Sequence, residues 1–189
     1  MEEEKFLENY FERYRGTIFV REVWTQLIEL KNLISFTQST GAKTIIAGNG
    51  GSAAIASHCS MDLTKNAGMR SVNFNESTLI TCLANDFGYE RWLEKALEQY
   101  GTDGDLVILI SSSGRSTNMI KAADFANSNG FSLVTFTGFE RDNPLHSRGK
   151  LNFWVNSFAY NIVEMTHQIW LLAVCDLIIG QAEYPAVSE

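Results

Sequence analysis

The chain has 189 residues, of which 45% are hydrophobic and 20% charged, and its formal net charge is −7. This length fits one well-buried domain spanning 1–189. The acidic charge argues against a nucleic-acid-binding surface, which usually needs a basic stripe. A phosphorylated ligand stays compatible with it, because a local group of backbone N–H groups can bind an anion inside an acidic protein.

The cysteines and the N-terminus favour a cytoplasmic protein. Three cysteines, an odd number without close pairs, are typical of a reducing compartment. The acidic N-terminus lacks the basic start of a signal peptide. The longest apolar stretch, 169–179, is too short to span a bilayer. We therefore expect neither a membrane nor a nucleic acid among the partners.

Two helices are predicted ahead of the first strand. Apolar residues recur at helical spacing over 6–14 and 17–39, with Gly16 as the break between the two runs. Gly41 follows the second run, as a C-terminal glycine should. The aromatic side chains of these helices fit two interpretations, an oligomer interface or the cover of one sheet face.

Beyond Gly41, predicted strands and helices alternate. Apolar runs predict strands at 43–47, 68–74, 106–110, 131–137 and 151–155. Helical patterns, the second of them capped by Ser77, predict helices at 53–65, 77–83, 90–100, 117–128 and 159–179. The alternation predicts an α/β fold, a three-layer αβα sandwich with an open parallel sheet of about five strands. Ligands of such sheets bind at the carboxyl ends of the strands.

A glycine-rich turn directly follows the first predicted strand. It consists of Gly48, Asn49, Gly50, Gly51 and Ser52. Exposed backbone N–H groups and the positive end of the next helix dipole favour an anionic ligand at such a turn. The turn is not a Walker motif, because no Gly-Lys-Ser/Thr ends it, and it is a poor dinucleotide fingerprint. The alternative is a tight turn with a purely structural role.

A hydroxyl-rich loop follows the strand predicted at 106–110 and lies on the same sheet edge. Its four hydroxyls belong to Ser111, Ser112, Ser113 and Ser116. Together with the free N–H groups of the following helix, they can hold a dianion such as phosphate without a lysine. The alternative is helix capping by Ser113 or Ser116. Two such turns at one sheet edge favour a binding site over coincidence.

Four motifs in this order and spacing make the chain resemble the sugar isomerase (SIS) domain family. They are the glycine turn extended to Ala54, the pair His58 and Asp62, the Ala-Asn-Asp-Phe-Gly-Tyr-Glu stretch at 84–90, and the serine-rich segment 110–118. More narrowly, the chain is similar to the bacterial phosphoheptose isomerases. The resemblance covers nearly the whole chain, including the two leading helices.

The resemblance implies an aldose–ketose isomerase that converts sedoheptulose 7-phosphate to D-glycero-D-manno-heptose 7-phosphate, in heptose biosynthesis for lipopolysaccharide or capsule. It implies that Ser111, Ser112, Ser113 and Ser116 hold the sugar phosphate. Further residues would contact the sugar, namely Asn49, Gly50, Gly51, Ser52, Asn85 and Asp86. It also implies a zinc ion and a homotetramer with sites between subunits, in which 1–40 serves oligomerisation.

Catalytic and metal-binding residues follow from the same resemblance. His58 and Asp62 share one helix face, and Asp62 stands where the family has the glutamate that moves a proton between C1 and C2. On the last helix, Glu164 replaces a metal-binding glutamine, Leu172 replaces a metal-binding histidine, and His167 matches a further histidine. A rearranged site would use His58, Asp62 and Glu164 as ligands, and Glu164 would also contact substrate. Asp62 would then be the base, with His167 or water as its acid partner.

Three functions stay open at this point. The first is the phosphoheptose isomerase or a close sugar-phosphate isomerase. The second is a non-catalytic member that binds a sugar phosphate or a protein, similar to the tetramer that binds a replication initiator. The third is an enzyme for a different phosphosugar or amino sugar. Leu172 favours the second because it can neither bind a metal nor move a proton, whereas His58 and Asp62 favour a catalyst.

Overall fold

The computed structural model describes residues 2–183. Its helices are α1 Glu2–Ile18, α2 Glu22–Ser39, α3 Gly51–Lys65, α4 Ser77–Phe87, α5 Trp92–Tyr100, α6 Thr117–Ser128 and α7 Tyr160–Ile179. Its strands are β1 Thr44–Gly48, β2 Ser71–Asn73, β3 Leu106–Ser111, β4 Ser132–Thr137 and β5 Leu151–Trp154. Every predicted element is present, with its ends moved by a few residues.

The five strands form one parallel sheet in the order β2-β1-β3-β4-β5. Both faces of the central strands are buried, and alternate side chains enter two separate cores. Ile46 and Ile108 pack in the core with α2, α3 and α7, whereas Ile45 and Val107 pack in the core with α5 and α6. The predicted three-layer αβα sandwich is confirmed.

The connections reverse direction between β1 and β3. From β1 the chain moves outward to β2, and it then returns to β3 on the other side of β1. A ligand cleft is expected outside the carboxyl ends of the strands at such a switch point. The glycine turn leaves β1 and the serine loop leaves β3, so both lie at this cleft.

Gly16 does not break the first helix, contrary to the prediction. α1 continues to Ile18, and the chain turns over 19–21 before α2 begins. A single glycine costs a helix only about 1 kcal/mol relative to alanine, which local contacts can offset. The end of α1 is fixed to α7, because the hydroxyls of Thr17 and Thr166 are 3.0 Å apart and Trp170 Nε1 donates to the Ile18 carbonyl.

Glu76, and not Ser77, caps α4. Its carboxylate accepts hydrogen bonds from the backbone N–H groups of Thr78 and Leu79 at 3.0 and 2.7 Å, which holds the pKa of Glu76 below its usual value. The helix runs to Phe87 rather than ending at residue 83. The Asn-Asp pair predicted in a turn therefore lies on the last turn of a helix.

α7 extends nine residues further toward the N-terminus than the predicted apolar stretch 169–179. An 18-residue window of Tyr160–Ile179 has a mean hydropathy of 1.6, so the helix is long and apolar enough to cross a membrane by length and composition alone. Side chains along one face, among them Val163, Trp170 and Val174, pack into the core against the sheet. That packing is what the core helix of a globular domain makes, and the helix also has an exposed apolar side.

Candidate functional site

A cavity of about 280 Å³ opens at the carboxyl ends of β1 and β3. It brings together most of the residues that the sequence predicts for ligand binding. The lining residues are Asn49, Gly50, Gly51, Ser52, Ile110, Ser111, Ser112, Ser113, Ser116, Tyr160 and Glu164. The glycine turn, the serine loop and the start of α7 thus face one space.

The glycine turn is built from close backbone approaches. Gly50 has φ +55°, a conformation that L side chains rarely adopt. A Cβ on Gly48 would lie 2.7 Å from the backbone carbon of Ser52, and a Cβ on Gly51 would lie 2.8 Å from Oε1 of Glu164. The turn therefore requires glycine at position 50 for its backbone conformation, at position 48 for the close approach of Ser52, and at position 51 for the carboxylate of Glu164.

The side chain of Asn49 is engaged within the protein. Asn49 and Asn118 exchange two amide hydrogen bonds of 3.0 and 2.9 Å, and Asn118 is only 2% exposed. The hydroxyl of Tyr89 donates to Asn49 Oδ1 at 3.1 Å. Asn49 was predicted to contact the sugar, but it has one amide N–H left for that, and it mainly ties the glycine turn to α6.

The serine loop keeps part of its polar groups available, although the hydroxyl of Ser111 donates to that of Ser116 at 3.5 Å. Neither N-cap residue, Gly50 of α3 nor Ser116 of α6, makes a side-chain cap hydrogen bond. Ser113 Oγ accepts from the backbone N–H of Arg115 at 3.3 Å. The hydroxyl of Ser112 is buried without a hydrogen-bond partner in the described part of the chain. The alternative interpretation was helix capping by Ser113 or Ser116. It is wrong for Ser116, which makes no cap hydrogen bond, and Ser113 accepts from the N–H of Arg115 in the loop rather than from an N–H of α6.

α7 supplies two side chains to the cavity, one turn apart. Glu164 was predicted from the sequence, and the half-buried position of its carboxyl raises its pKa above the usual value. Tyr160 was missed, and its ring packs edge-on against Phe139. The spacing i, i+4 from Glu164 was the sequence feature that could have identified it.

A second polar cluster joins α3 to α7, away from the residues that line the cavity. Gln168 Nε2 donates to His58 Nδ1 at 3.0 Å, which leaves His58 Nε2 to carry a proton 3.4 Å from Asp62 Oδ2. Asn66 Nδ2 donates to the other Asp62 oxygen at 3.2 Å. Burial and the nearby Asp62 raise the pKa of Asp176. Gln168 was missed, because the sequence placed Glu164 in this role.

His167 does not reach the cavity. It is fully buried, its Nε2 donates to the carbonyl of Thr137 at 3.0 Å, and its ring packs edge-on against Phe136. Burial lowers the pKa of His167 to about 4, so the ring is neutral at physiological pH. The structure therefore contradicts the prediction that His167 is the acid partner of Asp62.

The predicted metal set is separated in the structure. His58 and Asp62 lie together on α3, whereas the Glu164 carboxylate rests against Gly51 at the start of that helix. Across residues 2–183, no three His, Cys, Asp or Glu side chains form a group that could hold a metal ion. Glu164 is therefore misplaced as a ligand alongside His58 and Asp62.

Asn85 and Asp86 lie outside the cavity of a single chain. Asn85 Nδ2 donates to Asp86 Oδ1 at 2.9 Å, and both side chains are exposed on the last turn of α4. Their segment contacts the site through the hydroxyl of Tyr89, which donates to Asn49 Oδ1. The predicted contact between this pair and a sugar stays a prediction, since it needs the ligand or a neighbouring subunit.

Known proteins match both the sequence and the fold. Residues 10–138 match the family described as the SIS domain. The phosphoheptose isomerase of Thermodesulfovibrio yellowstonii is 31% identical over 183 residues, which cover 93% of this chain and 90% of that one. The phosphoheptose isomerase of Colwellia psychrerythraea is 31% identical over 185 residues, covering 93% and 94%.

Two solved structures share the architecture over almost their full length. The phosphoheptose isomerase from Neisseria gonorrhoeae superposes with a TM-score of 0.82 at 22% identity, covering 94% of this chain and 98% of that one. The phosphoheptose isomerase from Francisella tularensis gives a TM-score of 0.84 at 18% identity, covering 95% and 97%. At these identities the match establishes the fold.

Proposed function

This chain belongs to the SIS-domain family, and from that premise we propose that it is a phosphosugar aldose–ketose isomerase. Its substrate would be sedoheptulose 7-phosphate and its product D-glycero-D-manno-heptose 7-phosphate. Phosphoheptose isomerases that match more than nine-tenths of this chain at 31% identity support this choice. It would act in the cytoplasm and supply heptose for lipopolysaccharide or capsule.

The unsatisfied hydroxyl of Ser112 is the single observation that carries the proposal. A buried hydroxyl without a hydrogen bond is costly, by about 1–3 kcal/mol. In this cavity it lies beside three more serines and the uncapped N-terminus of α6. A phosphate would accept hydrogen bonds from all of these groups and would gain from the helix dipole. The cavity therefore fits a phosphorylated ligand that completes its hydrogen bonding.

Asp62 is the base that fits the isomerisation. From ketose to aldose, the reaction removes a proton from C1 and returns it to C2 through an enediol, so one carboxylate can perform both transfers. The proton that O2 gains and the proton that O1 loses would be carried by water, since His167 is buried away from the site. Both oxygens of Asp62 are oriented, one by Asn66 and one by His58, and His58 is in turn held by Gln168. This support limits the rotation of the shorter aspartate side chain.

The separation of the two polar groups supports a site shared between subunits. Asp62 lies 11 residues beyond Gly51 on α3, which is about 16 Å along a helix. The six C–C bonds of a seven-carbon sugar span roughly 8 Å, from bond lengths near 1.5 Å. A sugar held by the serine loop would not reach Asp62 of the same chain. We therefore assign the proton transfer to Asp62 of a neighbouring subunit in a homotetramer.

Zinc stays a prediction from the resemblance to the family. His58 and Asp62 could face one ion, but the described residues bring no third ligand of the His, Cys, Asp or Glu type to them. Leu172 packs against the core. Gln168 takes the place predicted for Glu164, so the second ligand position moves by one turn from Leu172 to Asp176. Burial and the nearby Asp62 raise the pKa of Asp176. Gln168, which contacts His58, is the side chain of α7 that would join His58 and Asp62 in holding such an ion.

Turnover of sedoheptulose 7-phosphate tests the proposed function. Wild-type protein, with and without added zinc, should convert it to the aldose, and Asp62→Asn should lower kcat by at least about 100-fold because it removes the base. The same variant should still bind the sugar phosphate, since Asp62 does not line the cavity. The measurement is a coupled or chromatographic assay together with calorimetric binding.

Asp103→Asn is the matched control, because it makes the same chemical change at an exposed position in the turn before β3, at the sheet edge opposite the cavity. Full activity in Asp62→Asn would contradict the assignment of the base. Binding of sedoheptulose 7-phosphate by wild-type protein without any turnover would instead favour the binding-only interpretation of this family member. Loss of both binding and turnover in wild-type protein would contradict the whole proposal.

A further inference from the structure

Two helix N-termini face the cavity, and both carry positive potential. α3 begins at Gly51 and α6 at Thr117, and neither N-cap residue provides a side-chain cap. By charge alone, each of them could bind a phosphate. The two N-termini nevertheless differ, because the acidic side chain of Glu164 on α7 lies at the start of α3 and not at the start of α6.

Glu164 occupies the space in front of α3. A Cβ on Gly51 would lie 2.7 Å from Cδ and 2.8 Å from Oε1 of Glu164, so the carboxylate rests on the backbone of the first helical residue. Within the described part of the chain, no Lys, Arg or His forms an ion pair with it. The N-terminus of α3 is therefore the positive group that faces this carboxylate.

The serine loop shows the opposite arrangement. Ser112 has a buried hydroxyl without a partner among residues 2–183, and no carboxylate lies among the residues that line that end of the cavity. One end thus holds an anion of the protein itself, and the other end has unused donors. A second anion placed beside Glu164 would be repelled strongly, because the half-buried carboxylate is only weakly screened there.

We propose that Glu164 is a specificity-determining residue that makes this cavity accept one phosphate and orients the sugar. The phosphate goes to the serine loop, and the neutral, hydroxyl-bearing part of the ligand lies toward Glu164, which accepts hydrogen bonds from hydroxyl groups. Sugar bisphosphates and sugar-acid phosphates are rejected, because their second anion would compete with Glu164 for the N-terminus of α3. This inference rests on the proposed function and adds its substrate class.

Binding of two ligands that differ by one phosphate tests the proposal. Calorimetry would compare sedoheptulose 7-phosphate with sedoheptulose 1,7-bisphosphate in an Asp62→Asn background, which prevents turnover. With Glu164 present, the monophosphate should bind at least tenfold more tightly. Glu164→Gln, which is nearly isosteric and neutral, should bring the two affinities within threefold, mainly by strengthening bisphosphate binding.

Two further variants separate the effect of the charge at Glu164 from the effect of removing a negative charge elsewhere in the protein. Glu29→Gln removes the same charge from an exposed position on α2 and should leave the discrimination unchanged. Glu164→Asp keeps the charge but withdraws it by one methylene, and it should retain most of the discrimination. Each variant is checked by its melting temperature. Glu164→Gln should change it little, because the lost interaction with the N-terminus of α3 is offset by removal of a charge that burial disfavours.

The possible failures are distinguishable. Equal affinity of the Glu164-containing protein for both ligands would overturn the role of Glu164, and so would an unchanged preference in Glu164→Gln. Absence of monophosphate binding by that protein would overturn the phosphate site of the proposed function, and the inference with it.

Discussion

At the scale of single residues, two histidines have opposite environments and therefore opposite roles. His58 is exposed on α3, and its ring connects Gln168 with Asp62. His167 is buried against Phe136, where loss of hydration lowers its pKa to about 4 and one ring nitrogen has no hydrogen-bond partner. His58 is therefore placed to act in the site, whereas His167 contributes to the stability of the fold.

The buried His167 predicts a loss of stability in mild acid. Its pKa is near 4 in the fold and about 6.5 when unfolded, so the unfolded chain binds the extra proton between these values. The contribution of neutral His167 to the free energy of unfolding is fully present above pH 6.5. It is lost as pH falls toward 4, which lowers the free energy of unfolding by up to about 3 kcal/mol. Urea unfolding from pH 7.5 to 4.5 measures it.

The variant His167→Gln should be less stable at neutral pH but should show a flatter dependence of stability on pH. His146→Gln is a second case of the same effect. Burial and Arg141 lower the pKa of His146 as well, so this variant should also flatten the dependence of stability on pH. An identical pH slope in wild-type protein and His167→Gln would contradict the neutral buried state of His167.

At the scale of elements, the site depends on how two loops are held together. The amide pair of Asn49 and Asn118 joins the turn before α3 to the start of α6, and Tyr89 adds the segment after α4. The two amides satisfy each other in a largely buried position, where an unpaired amide would be costly. This contact fixes the spacing between the serine loop and the glycine turn.

Removal of the amide pair should affect both stability and binding. Asn118→Ala leaves the Asn49 amide without its partner and should cost about 1–3 kcal/mol of unfolding free energy. Affinity for sedoheptulose 7-phosphate should fall about tenfold, because the spacing of the two loops is no longer fixed. Thermal unfolding and calorimetry measure the two effects.

The control is Asn129→Ala at the other end of α6, where an exposed amide donates to the Phe125 carbonyl. It should change stability by less than about 0.5 kcal/mol and leave binding unaltered. Equal behaviour of the two variants would show that the contact between the loops has no special role.

At the scale of the whole molecule, apolar surface is left uncovered on a single chain. α1 exposes Phe6 and Phe11, and the surface next to His58 exposes Met61 and Ile169. Exposed apolar patches of this kind are typical of contacts between proteins. They support the interpretation of the leading helices as an oligomer interface, and they lie where a shared site would need a neighbouring subunit.

Mixed oligomers test a site shared between subunits. Ser113→Asp places a negative charge in the phosphate site and should be inactive alone, as should Asp62→Asn. After dissociation and reassembly together, a fraction of sites would combine an intact serine loop with an intact Asp62 and regain up to about a quarter of wild-type activity. Activity assays and sedimentation of the same samples measure this.

Reassembly of each variant with itself is the control and should give no activity. If the mixture also stays inactive while sedimentation confirms mixed oligomers, both halves of the site must come from one chain. Such a result would contradict the distance argument along α3.

The sequence by itself determined the layers of the fold and one wall of the site. Buried apolar runs such as Leu106–Ser111 fix the central strands, because both faces of a parallel sheet are covered. The glycine turn and the serine loop meet for the same reason: each follows a parallel strand, so each must emerge at the same sheet edge. Their meeting in one cavity follows from this rule.

Only the tertiary structure decided which residues of α7 face the site. This helix is apolar on nearly all sides, so its periodicity does not show which face meets the sheet. A shift by one turn exchanges Glu164 for Gln168 as the neighbour of His58, and a rotation takes His167 into the core. The place of Glu164 against Gly51 likewise depends on how closely α7 packs on α3, which residue spacing does not encode.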